Sequence, residues 1–145
     1  MLNKDKLYAV GMMAARQARA KAKEDGVAAN EVIDMTVLLK EWTIGKYEVG
    51  DVIVYQGYPY KCIQAHDSTG NDGWYPSAVP ALFAPYHGTD AAHALPYVAP
   101  THAGDAYQTG EWMIWTDGVK YKCLQDACVY DPGTLPSAWE AETTA

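Results

Sequence analysis

The sequence predicts a mainly β protein with an α-helical N-terminus, its β part formed by two small repeated antiparallel modules, each a hairpin followed by a Pro-rich loop. Three observations lead there. Five residues recur almost unchanged, YKCIQ from Tyr60 and YKCLQ from Tyr121. Both copies follow a glycine-containing turn and precede a Pro-containing stretch, so a whole module is repeated and not five letters. Residues 4–25, by contrast, are rich in Ala, lack Pro and carry a helical spacing of apolar side chains.

Taken in order, residues 4–25 read as one helix. Leu7, Val10, Ala14, Ala18 and Ala22 approximate an i, i+3/i+4 stripe, and Gly26 is a natural stop. The stripe is narrow and made of small side chains, so it needs close packing on another helix or on a copy of itself. Asn30 reads as the cap of a second helix that carries Val32, Ile33, Met35, Val37, Leu38 and Leu39 and ends near Trp42. The grammar then changes to short alternating runs. A strand is expected at Val52–Tyr55, a tight turn at Gln56–Gly57 and a second strand at Tyr60–Gln64. The loop after it is dense in turn formers, and Pro76 and Pro80 cannot donate to a sheet ladder.

In the second copy Gly110, Trp115 and Asp117–Gly118 answer Gly50, Tyr55 and Gln56–Gly57. Tyr121, Lys122, Cys123 and Gln125 match Tyr60, Lys61, Cys62 and Gln64, and Pro132, Pro136 and Trp139 match Pro76, Pro80 and Phe83 across a shorter loop. Between the copies, Tyr86, Leu95, Tyr97 and Val98 give an Ala-, Pro- and His-rich stretch the apolar anchors of an ordered strap. The expected organisation is a helical segment over 1–41 for oligomerisation or attachment, a first module over 42–85, a connector over 86–105 and a second module over 106–145.

Composition narrows the function. Of the 145 residues, eleven are Tyr and five Trp, while Phe83 is the single Phe, so the aromatic load is mostly rings with a polar handle, favoured where one side is buried and the other wet. The net charge of −7 is split: residues 1–40 hold seven Lys/Arg against five Asp/Glu, residues 41–145 four against thirteen. An acidic aromatic region repels phosphate backbones, which excludes nucleic acid as its partner. Lys4, Asp5 and Lys6, then Arg16 and Arg19, interrupt the N-terminal run, so no membrane partner is expected and synthesis is expected in a cytoplasm. Cys62 and Cys123 occupy the same place in the two copies and read as buried free thiols; Cys128 could pair only with Cys123. His87, His93 and His102 lack the companions of a metal site. Asp67, Asp72, Asp105 and Asp131 sit in turn-rich loops where Asp caps backbone, and two tiny modules leave little room for a catalytic cleft. Neither cofactor nor metal nor catalysis is expected.

The run from Trp42 through Y-x-x-G-D, Y-x-G-x-x-Y-K-C-I-Q-A-H, G-W-x-P and V-P-A-L-F resembles the small chitin-binding modules appended to bacterial chitinases. It is more similar still to the versions in tail and fibre-type proteins of phages and prophages of Gram-positive bacteria. The resemblance covers residues 42–83 strongly and 106–139 moderately. It implies a compact antiparallel module whose rings stack on sugar faces, with contacts at Phe83 and Trp139 after P-A-L or its equivalent, and at Trp74, Tyr75 and His66. Trp74 also reads as a core or loop-locking ring and His66 as a loop-orienting hydrogen bonder. Asp67 stands where Thr is usual, Gly70-Asn71-Asp72 lengthen the loop, and Asp126 lies near the second copy's expected His.

One ring covering roughly 60–80 Å² of sugar supplies about 1.5–2 kcal/mol at ~25 cal/mol per Å². Millimolar affinity needs roughly 4 kcal/mol, so several rings or several copies are required. The resulting expectation is a non-enzymatic virion protein of tail or fibre type, favoured as a homotrimer, that binds polysaccharide on a host surface by aromatic stacking. The rival is a structural virion protein whose modules only mediate protein–protein assembly with other virion proteins.

Overall fold

The computed structural model describes residues 4–24 and 26–143, residues 4–10 by backbone alone. Helix α1 spans Lys4–Ala22. Of the predicted stripe, the Leu7 and Val10 side chains lie outside what is described; Ala18 and Ala22 are buried. The Ala22 methyl lets α1 approach closely, and it joins Val32, Leu39, Val52 and Val54 in one apolar cluster. The helix thus packs within its own chain. No helix among the described residues is long and apolar enough to cross a membrane.

The second helix is shorter than expected. Helix α2 covers Ala29–Asp34, followed by a single 3-10 turn at Thr36–Leu38. The Thr36 hydroxyl donates to the Ile33 carbonyl at 2.7 Å, a side-chain bond that competes with helical continuation. Ala28, not Asn30, is the cap residue. The Asn30 amide instead donates to Thr89 Oγ1 (2.9 Å) and Asp90 Oδ2 (3.1 Å) and accepts from Thr89 N (2.9 Å), clamping α2 to the connector.

His93 completes the clamp. Its Nε2 lies 2.8 Å from Asp34 Oδ1 and its Nδ1 2.7 Å from Asp90 Oδ1. Two carboxylate acceptors require protons on both ring nitrogens, so this is imidazolium geometry. The Asp90 hydrogen bond, assisted by Asp34 against some desolvation, raises the His93 pKa, and the same bond lowers that of Asp90. A raised histidine stabilises fully below its unfolded pKa of about 6.5 and loses that contribution as pH rises through the folded value. A depressed carboxylate loses its contribution as pH falls through its own folded value. The clamp is strongest between the two. His93→Gln is expected to lower the melting temperature more at about pH 5.5 than at about pH 8.5; equal losses at both would rule the imidazolium out.

The β part confirms the expected class. Strands β1 (Lys46–Tyr47), β2 (Val52–Tyr55), β3 (Tyr58–Cys62), β4 (His66–Asp67) and β5 (Phe83–Pro85) form the first module, with antiparallel order β2-β3-β5 and a separate β1-β4 pair. Strands β6 (Leu95–Pro96), β7 (Trp112–Ile114), β8 (Lys120–Cys123) and β9 (Trp139–Ala141) form a second sheet in that order; β6 runs parallel to β7 and the other pairs are antiparallel. The first hairpin turns at Gln56 (φ 51°) and Gly57 (φ 79°), the left-handed pair a two-residue hairpin needs. The second turn is one residue longer, closing with a bond from Gly118 N to Trp115 O at 2.9 Å.

The duplication extends to individual hydrogen bonds. Cys62 N donates to Asp51 O and Cys123 N to Glu111 O, both at 2.7 Å; Ile63 N meets Leu82 O at 2.9 Å and Leu124 N meets Ala138 O at 2.8 Å. Each repeated thiol donates to the carbonyl two residues on, Cys62 to Gln64 and Cys123 to Gln125, both at 3.1 Å. Cys62, Cys123 and Cys128 are all buried free thiols. Burial raises the thiol pKa of Cys62 and lifts that of Cys123 to about 11, so both stay protonated.

The cores correspond residue for residue but are filled differently. Tyr47 pairs with His66 across β1 and β4, and Tyr107 bridges Cys128 in the same way, so Cys128 holds the place of His66. Asp126, expected near that place, instead accepts from Thr109 N at 3.1 Å. His66, Leu82 and Phe83 in the first core become Cys128, Ala138 and Trp139 in the second. Two neighbours shrink where the ring grows.

The connector does more than tie the modules together. Tyr97 N donates to Ile114 O at 2.9 Å as Trp42 N donates to Val54 O at 2.8 Å. Trp42 stands edge-on to Tyr55 (5.9 Å, 88°) and Tyr97 edge-on to Trp115 (5.0 Å, 82°). Strand β6, with Tyr97 directly after it, is therefore the opening strand of the second module, within the stretch read from sequence as connector. Trp115 packs on the second core, and Trp112 is half-buried outside it.

Candidate functional site

Phe83 is 0% exposed and Trp139 6%. Both were expected as outward sugar-stacking rings, and both are core instead. Each opens the third antiparallel strand of its module, paired opposite the buried Cys62 or Cys123, so its side chain shares the inward face of the pleat. Phe83 meets Tyr47 edge-on at 5.5 Å, and Trp139 meets Tyr107 edge-on at 5.2 Å. The indole N–H of Trp139 is spent inside the fold, on the Tyr130 carbonyl at 2.9 Å.

Of the predicted contacts, the ring that does face water is Trp74, 37% exposed. It lies in the loop between β4 and β5, which is ordered by successive turns. Buried Ser68 donates through N to Gly45 O (2.9 Å) and accepts at Oγ from Gly45 N (3.0 Å). Asn71 N then donates to Ser68 O (2.7 Å), Trp74 N to Asn71 O (3.1 Å) and Leu82 N to Val79 O (2.9 Å). Fully buried Pro76 anchors the far side. Pro and Asn prepay the entropy of this path, so the ring is held at the surface without being packed under it.

Beside Trp74 lies an open cleft of about 650 Å³, lined by Gln64, His66, Ala78, Val79, Pro80, Ala81, Leu82 and, from the connector, Thr101 and His102. No Asp, Glu, Lys or Arg lines it, and most of its wall is apolar. His66 donates through Nδ1 to Gln64 O at 2.8 Å, stacks on Tyr47 (5.6 Å, 25°) and stands edge-on to Phe83 (5.1 Å, 86°). Its Nε2 is buried and has no hydrogen-bond partner among the described residues. With Nδ1 carrying the proton, Nε2 is an acceptor held by the fold.

Of the five residues predicted as contacts, the structure brings together Trp74 and His66. Tyr75, next in sequence to Trp74, turns away and stacks on Tyr55 (5.3 Å, 20°). Phe83 lies beneath the cleft floor as packing, and Trp139 belongs to the other module. Val79 and Leu82 were visible only as part of the Pro-rich loop; Thr101 and His102 arrive through tertiary folding and carry no local signal. Among the described residues no group of His, Cys, Asp and Glu could hold a metal ion. The loop carboxylates serve backbone: Asp67 accepts from Thr69 N (2.9 Å), Asp131 from Thr134 N (2.7 Å) and buried Asp105 from Thr101 N and His102 N (3.0 Å each).

A small antiparallel module that pins one flat ring over an uncharged apolar cleft has the architecture of a surface-binding module. Residues 41–84 match the model of carbohydrate-binding module family 5/12. Chitinase Chi52 of Paenibacillus xylanexedens is 50% identical over 44 residues, covering 30% of this chain and 8% of that protein. Streptogrisin-C of Streptomyces griseus is 44% identical over 43 residues, covering 29% and 9%. The chain thus spans less than a tenth of the length of these curated relatives. A crystal structure of a family GH18 chitinase from Chromobacterium violaceum aligns at 32% identity and a TM-score of 0.31, covering 40% of this chain and 15% of that one. The likeness to a carbohydrate-binding module thus extends over residues 41–84, under a third of the chain.

Proposed function

We infer that the first module binds an uncharged polysaccharide, with the C–H face of a pyranose lying on Trp74 above the cleft. Exposure of Trp74 over a cleft without charged walls is the observation that supports it, because an anionic glycan would find no cation there. Polymers of N-acetylhexosamine are the first ligand to test, given the chitinases among the similar proteins. Trp74→Ala is expected to weaken binding of the full chain to colloidal chitin by about 10- to 30-fold, the value of roughly 60–80 Å² of covered ring. Chitin binding that is indifferent to this substitution would remove the reading.

The finer assignment is a tail- or fibre-type virion protein, assembled as a trimer, that carries the module to host surface polysaccharide after release. It rests on the sequence likeness of residues 42–83 and 106–139 and on the need for several weak sites acting together. Light scattering tests it, a trimeric mass being the expected result and a monomer excluding it. The second reading, a structural virion protein assembled by protein contacts, is favoured by the exposed Met13 and Val37 of the N-terminal segment.

A further inference from the structure

We propose that the second module, outside residues 41–84 that match the family model, carries a second saccharide-contact site centred on Tyr130. The inference rests on the reading of Trp74 as a glycan contact. Of the described Phe, Tyr and Trp side chains, two are exposed, Trp74 at 37% and Tyr130 at 51%. They occupy corresponding positions in the duplicated modules.

The correspondence is set by hydrogen bonds and not by letter matching. Ala78 N donates to Tyr75 O at 2.9 Å as Thr134 N donates to Asp131 O at 3.2 Å. Leu82 N donates to Val79 O at 2.9 Å as Ala138 N donates to Leu135 O at 3.1 Å. Pro76 and Pro132 are both buried inside these turns. Trp74 and Tyr130 each precede the first turn by one residue. The remaining rings of the modules turn inward or lie half-buried, so the duplicated scaffold leaves the same position out in both copies while its core was refilled.

The backbone of Tyr130 is anchored to the second core. Its carbonyl accepts from Trp139 Nε1 at 2.9 Å and from Cys128 Sγ at 3.3 Å, tying the backbone to the second core while the ring stays in water. Rigid anchoring keeps the ordering cost of binding low. The exposed aliphatics correspond as well: Ile63 lies in the first module and Leu124 in the second, each next to its repeated Cys. The loop before the ring shrinks from residues 67–73 to Val129 alone, and Cys128 stands in the place of His66. The second site is therefore a flatter contact that offers ring face with little polar readout. Asp126 and Asp131 flank it, so an anionic polymer is repelled and a neutral pyranose chain is the ligand class that fits.

The test uses the full chain, isotopically labelled, titrated with tri-N-acetylchitotriose, together with pull-down on colloidal chitin. The expected result is that amides of Leu124, Val129 and Tyr130 shift on titration and still shift in Trp74→Ala. On chitin beads Tyr130→Ala should bind several-fold more weakly, Tyr130→Phe should bind like the native chain, and Trp74→Ala with Tyr130→Ala should not be retained. Because Tyr130 is exposed, Tyr130→Ala should melt with the native protein, which separates lost contact from lost fold. If Trp74→Ala alone ends retention while Tyr130→Ala and the Tyr130 amides are unaffected, the second site is excluded and the first stands. If the native chain shows neither shifts nor retention, both go.

Discussion

Trp139→Ala is expected to destabilise the second module by about 3–5 kcal/mol, the range for emptying a buried aromatic site. The ring fills the space between Tyr107, Tyr97 and Cys128, and its N–H satisfies the Tyr130 carbonyl. Removing it leaves a cavity and strips the Tyr130 carbonyl of its indole donor, leaving only the weaker Cys128 thiol. Phe83→Ala should act on the first module by a similar mechanism without the hydrogen-bond loss. Urea denaturation followed by tryptophan fluorescence checks both, and a native-like midpoint for either variant would mean that the ring is not core. Loss of chitin binding in these variants would report unfolding and would carry no information about contact, in contrast to Trp74→Ala, whose fold should persist.

Phe83→Trp, although it restores the residue found at the corresponding position of the second copy, should destabilise by about 1–3 kcal/mol through overpacking. Phe83 is fully buried with His66 and Tyr47 edge-on at 5.1 and 5.5 Å, so a larger ring has to displace one of them. Adding His66→Cys and Leu82→Ala transplants the second module's solution and should recover most of the loss. The coupling expected from a double-mutant cycle between Phe83→Trp and His66→Cys is about 0.5–3 kcal/mol, measured from denaturation midpoints. Additive effects would show that the two side chains do not share one volume constraint.

The repeated YKC phrase, the Gln56–Gly57 turn and the Val52–Tyr55 strand were legible because each is decided locally. A left-handed turn pair, an alternating β-branched run and a buried small thiol have the same meaning wherever the fold places them. The outward direction of particular rings was not legible. Phe83 and Trp74 are both aromatic, both near prolines and both in or beside one loop. Phe83 is inward because its strand pairs opposite Cys62, and Trp74 outward because turns from Ser68 to Asn71 to Trp74 carry the chain over the surface. Likewise Tyr97 looked like an anchor of a strap, and only its pairing with Ile114 makes it the counterpart of Trp42.

The sequence by itself determined a duplicated hairpin-and-loop unit, the placement of its thiols and a helical N-terminus, since backbone propensity, turn chemistry and hydrophobic alternation act over a few residues. Tertiary structure alone decided which ring meets water, which segment opens the second sheet and how two unlike sets of side chains fill equivalent cores. Those outcomes depend on which faces of distant strands come together, and that is set by close packing of volumes contributed from across the chain.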